Sequence, residues 1–84
     1  MKNYYVTFRS VTFAQRGESL LRQAGIGAAL RRTPRWMEEQ GCGYCLRLSA
    51  GEAAGGVELL RRKQIPFRKI YLLQDGREAE EVYL

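Results

Sequence analysis

The chain has 84 residues, 45% hydrophobic and 27% charged, with a net charge of +5. That is the size of one soluble domain with a thin core, because so short a chain buries only about two-thirds of its unfolded surface. It contains no histidine, which excludes Ser-His-Asp and Cys-His catalysis and any imidazole-ligated zinc.

No run of about 18 apolar residues reads as a transmembrane helix. The stretch Met1 to Thr7 lacks the apolar run and small-residue site of a secretory signal. A cytoplasmic protein without a membrane partner is therefore expected. Eleven of the fourteen basic residues are arginine, against nine acids. Such a balance suits RNA, phosphate or an acidic protein surface, and equally an ordinary solvated surface.

Tyr4, Val6 and Phe8 alternate with Tyr5, Thr7 and Arg9, the period of a strand with one buried face, so a first strand is expected over Asn3 to Arg9. A helix follows, opening near Thr12 with Gln15 as its capping-box partner. Its stripe is Phe13, Leu20, Leu21 and Ala24, and Gly25 is its left-handed terminator. Gly17, inside that helix, costs about 1 kcal/mol relative to alanine. It is either a close-packing position or a surface defect.

Ile26 to Arg32 reads as a short second strand anchored by Leu30 and ended by Thr33-Pro34. Arg35 to Tyr44 is then a loop of about ten residues, longer than the usual connection, and long ordered loops are often functional. A third strand is expected over Cys45 to Ser49. A second helix follows, with Ser49 and Glu52 as its capping box and Arg61, Arg62 and Lys63 in its last turn, where the helix dipole favours cations. Phe67 to Leu73 reads as a fourth strand, and Asp75-Gly76 as a turn.

The order strand-helix-strand-strand-helix-strand is that of an α+β, ferredoxin-like βαββαβ sandwich. Two helices would cover one face of a four-stranded antiparallel sheet. The expected domain is 1–73, with 74–84 an acidic tail that forms an edge strand or stays mobile. The uncovered face would carry Tyr5, Thr7, Arg9, Arg31, Cys45, Arg47, Lys69 and Tyr71.

The two cysteines lie in Gly41-Cys42-Gly43-Tyr44-Cys45. Thiolate is the reactive form of cysteine, and nearby cations and backbone amides raise its population. Gly41 and Gly43 leave Cys42 open to an incoming sulfur atom, and Arg35 and Arg47 are its candidate cationic neighbours. Cys42 is the expected nucleophile, with Cys45 as resolving or second thiol. The plain alternative is two small residues packed beside a turn. A C-x-x-C pair is a weak signal alone, and a strand rather than a helix follows it, which argues against a thioredoxin fold.

Two other classes remain open. Arg9, Lys69, Tyr5 and Tyr71, with Trp36 as a docking residue, would make a binding surface for RNA or a protein partner. A dimer could pool four thiolates around zinc or an iron-sulfur cluster, although one chain supplies too few ligands for a metal site of its own. No cofactor is expected.

Phe8-Arg9-Ser10, Gly25-Ile26, Thr33-Pro34-Arg35 and Cys42-Gly43 followed by Leu46-Arg47 resemble, in order and spacing, the Se/S carrier-like family of small bacterial proteins, formerly a domain of unknown function. The resemblance spans about Tyr4 to Leu73. It implies a carrier rather than a stand-alone enzyme, holding sulfur or selenium as a persulfide- or selenide-type adduct received from a cysteine desulfurase. The family's Cys-Gly pair falls on Cys42-Gly43 and its Pro-Arg on Pro34-Arg35. Cys45 stands where the family pattern has a small apolar residue, and it adds disulfide or metal chemistry to simple carriage.

Overall fold

The alternating stretch around Val6 lies at the middle of the sheet. In the computed structural model, which describes residues 2–35 and 43–84, the elements run β1 (Lys2–Thr7), α1 (Val11–Gln23), β2 (Ala28–Arg32), β3 (Tyr44–Ser49), α2 (Ala53–Arg62), β4 (Ile70–Gln74) and β5 (Glu80–Val82). The strand order is β2-β3-β1-β4-β5, with every neighbouring pair antiparallel. Strands β1 and β2 both oppose β3, so they run parallel with β3 between them. By the same logic β3 and β4 are parallel and flank β1.

The expected four-stranded sheet is corrected to five strands. Glu80–Val82 pairs with β4, Val82 opposite Ile70 and Glu80 opposite Leu72. Two of its three residues are acids, so it has no apolar alternation to announce it. Backbone pairing, and Val82 packed against the core, hold it.

Both helices share a single core with the sheet. Val6, Phe8, Leu46 and Leu48 are fully buried against Leu21 of α1 and Val57 and Leu60 of α2. Gly17 is a packing position: a Cβ there would lie 3.2 Å from side-chain carbons of Leu46 and Leu60. A Cβ at Gly56 of α2 would likewise lie 3.2 Å from a side-chain carbon of Leu48. These two glycines let both helices approach the sheet more closely than alanine would.

The helix starts differ from expectation. α1 is capped by Ser10, whose Oγ accepts from the Phe13 amide at 3.3 Å, two residues before the expected Thr12. At α2, Glu52 occupies the cap position but makes no side-chain cap bond. Its carboxylate instead accepts from the Gly27 amide at 3.2 Å and from Ser49 Oγ at 3.4 Å. A second carboxylate reaches the same strand region: Glu18 of α1 accepts from the Leu30 amide at 3.1 Å.

Both helices end the same way. Ile26 N donates to Leu21 O and Ile65 N to Leu60 O, at 2.8 and 2.9 Å. The left-handed position of that closing turn is Gly25 in α1 and Gln64, at φ 59°, in α2.

Strand boundaries also shift: β1 stops at Thr7, β2 begins at Ala28, β3 begins at Tyr44 and β4 begins only at Ile70. Among the described residues no helix is long and apolar enough to cross a membrane.

Candidate functional site

The register fixes which chain segments meet. Thr7 pairs with Cys45, Arg32 with Tyr44 and Val6 with Ile70. The end of β1, the end of β2, the start of β3 and the start of β4 therefore share one end of the sheet. Residues 33–43 connect β2 to β3 there. The bond from Thr33 N to Gly43 O, 2.8 Å long, closes their base. Arg32 lies over the Tyr44 ring at 5.7 Å. Gly43 has a φ of +84°, a conformation that glycine adopts without strain.

This end is also the cationic one. Arg9 follows β1, Arg31, Arg32 and Arg35 lie at the end of β2, and Arg68 and Lys69 precede β4. α2, which starts at the opposite end of the sheet, delivers Arg61 and Arg62 here. Arg61 lies over the Phe67 ring at 5.4 Å.

Trp36, Gly41 and Cys42 lie outside the described residues. Cys45, on β3, is 0% exposed and sits between Thr7 of β1 and Arg31 of β2. Arg47 is two positions further along β3, opposite Tyr5 and Ala29. It lines a hollow of about 370 Å³ with Asn3, Arg22 and Ser49. Arg35 is exposed.

The face expected to be open is partly closed. Thr7, Cys45 and Tyr71 are 5%, 0% and 8% exposed, while Tyr5 is half-buried and pairs with Tyr71. Among the described residues no cluster of three or more Cys, Asp or Glu could hold a metal ion.

Two residues at this end escape a reading by pattern. Arg68 stands beside Lys69 in the run Phe67-Arg68-Lys69, and with Arg9 these three line a hollow of about 320 Å³. The adjacency of two cations was the available signal, but reading the stretch as a strand assigned them to opposite faces. Thr33, which the pattern marks only as the end of β2, is 7% exposed, and its Oγ1 has no hydrogen-bond partner among the described residues.

The family model described as "Putative Se/S carrier protein-like" matches residues 3–72, which spans all of the sheet except Lys2, the last two residues of β4 and β5. The chain belongs to this Se/S carrier-like family. The match covers both cysteines and the connection between β2 and β3. No curated protein and no solved structure matches the chain.

Proposed function

We propose that the protein carries sulfur or selenium on Cys42, within a ferredoxin-like sandwich extended by a fifth strand. The observation that supports this most is the family match across both cysteines, on a fold whose cationic end carries the β2–β3 connection. A thiolate, a persulfide and a selenide are all anionic, and positive surroundings favour each of them over its protonated form.

In the transfer, the Cys42 thiolate attacks the outer sulfur of a persulfide on a donor protein of the cysteine desulfurase class. A bond forms between Cys42 Sγ and that sulfur, the donor's S–S bond breaks, and the donor cysteine leaves as thiolate. No general base is needed when the attacking thiol is already ionised, which suits a chain without histidine. Arg35 is the loop-side cation in this scheme and Gly43 the small neighbour that keeps access open. Arg47, two residues beyond Cys45, adds to the positive field from the sheet.

Cys45 serves as the second thiol. Its thiolate would attack Cys42 Sγ of the adduct, expel hydrosulfide and leave a Cys42–Cys45 disulfide. Because Cys45 is fully buried, that step requires local opening and is slower than loading. A cellular dithiol then reduces that disulfide by thiol–disulfide exchange, becoming a disulfide itself and returning both thiols.

Intact-protein mass spectrometry after incubation with a desulfurase and cysteine tests the reading. A mass gain of one sulfur atom on the wild type, lost in Cys42→Ser and retained in Cys45→Ser, is expected. An unmodified wild type, or an equal gain in Cys42→Ser, overturns it.

A further inference from the structure

The hollow lined by Arg9, Phe67, Arg68 and Lys69 is built more firmly than a chance meeting of surface cations. Its walls come from two segments tied together at Thr7. Thr7 N donates to Lys69 O at 2.9 Å, and Arg68 N donates to Thr7 O at 2.7 Å. The Thr7 hydroxyl accepts from Lys69 N at 3.1 Å and donates to Lys69 O at 3.3 Å. Four hydrogen bonds thus fix the backbone of residues 68–69 to the end of β1. Arg9 follows Thr7 by two residues, so all three cations spring from an ordered frame.

Charge favours the same conclusion. Among the described residues no carboxylate lines this hollow. Glu81 pairs with Lys69 at 3.9 Å from the neighbouring cleft, which Phe67, Arg68 and Lys69 also line. The Lys69 side chain is 28% exposed, which strengthens its field relative to a fully solvated ammonium. α1 begins at Val11, so the positive end of its dipole adds to the potential beside Arg9. In the other basic hollow, with Arg22 and Arg47, the ion pair is closer: Glu18 lies 3.5 Å from Arg22.

We propose that Arg9, Arg68 and Lys69 form a docking site for a phosphate-class oxyanion borne by a small phosphorylated ligand. Two guanidinium forks and one ammonium can meet the oxygens of a tetrahedral dianion. A volume of about 320 Å³ admits the anion together with part of the group that carries it. Phe67 supplies the apolar wall against which that group would rest.

The test is amide chemical-shift titration of the full chain at low salt, with inorganic phosphate, with AMP and with a short single-stranded RNA. Phosphate and AMP should each give saturable shifts centred on Arg9 and residues 67–69, and should compete with one another. Arg9→Gln and Arg68→Gln should each weaken binding about tenfold, the loss of one charge-assisted contact. Arg77→Gln should leave it unchanged. Cys42→Ser should retain phosphate binding, so the site stands or falls independently of sulfur carriage.

Four outcomes overturn the proposal. They are no saturable response, a response undiminished in both arginine variants, a response spread evenly over all the arginines, and binding of the RNA without either phosphate or AMP. Arg9 is exposed, so its variant keeps the test decisive even if Arg68→Gln unfolds.

Discussion

The cationic end of the sheet has two halves, and each contains a buried threonine. On the β1–β4 side, Thr7 uses its amide, carbonyl and hydroxyl, all three, on the backbone of residues 68–69. On the β2–β3 side, Thr33 donates its amide to Gly43 O, but its equally buried hydroxyl finds no partner among the described residues. One half is closed by hydrogen bonds that extend the sheet past its last regular pair. Among the described residues the other is held by a single backbone bond past its last regular pair, where the cysteine-bearing connection begins. The same residue type at the same depth therefore does opposite things. Thr7 locks an anion-binding frame in place, whereas Thr33 leaves an unmet polar group beside the segment on which the proposed chemistry depends.

Substitution can sharpen or break this contrast. Thr7→Val keeps the shape but removes the hydroxyl, leaving the Lys69 amide to seek another acceptor. It should lower stability by about 1–3 kcal/mol, read from urea unfolding, and should also weaken phosphate binding. Wild-type stability with unaltered shifts at residues 68–69 would show that the backbone bonds alone hold that half.

Gly43→Ala should cost about 1–2 kcal/mol, because its φ of +84° is strained for any residue with a Cβ. The same urea curves measure this. A neutral result would mean that the hairpin mouth rearranges without difficulty. The smallest effect, and the only one of opposite sign, belongs to Thr33→Val. Removing an unpaired buried hydroxyl in favour of a methyl group should be neutral or stabilising by up to about 1 kcal/mol. A loss comparable to that of Thr7→Val would erase the distinction between the halves.

The central strands were legible because burial on one face leaves a period of two. Val6, Phe8, Leu46, Leu48 and Ile70 all face the core as their spacing requires. That period identifies a face but not what covers it. Cys45 and Tyr71 lie on the face read as open and are nevertheless buried.

Strand β5 was legible only as one of two alternatives for the tail, for the converse reason. Glu80-Glu81-Val82 offers a backbone to pair with β4, and a backbone leaves no trace in the side-chain pattern. The cap of α1 was misplaced because Thr12 and Gln15 match a capping box, while Ser10, the residue used, has Phe13 three places on. The cationic end could not be assembled from sequence at all. Arg9, Arg32, Arg61 and Arg68 are scattered along the chain, and only the antiparallel register of four strand ends, with the return of α2, gathers them.

The Glu18 carboxylate at the Leu30 amide has a consequence for how copies of this protein behave when crowded. β2 is an outermost strand, and such strands invite a neighbour's backbone to extend the sheet. Here the newcomer would have to evict a carboxylate from the amide it needs, and would meet that negative charge as it did so. At the other margin, β5 offers just three residues, two of them acidic. A sheet guarded by carboxylates at both margins resists growth into fibres. Copies of it can thus stay dispersed at high concentration.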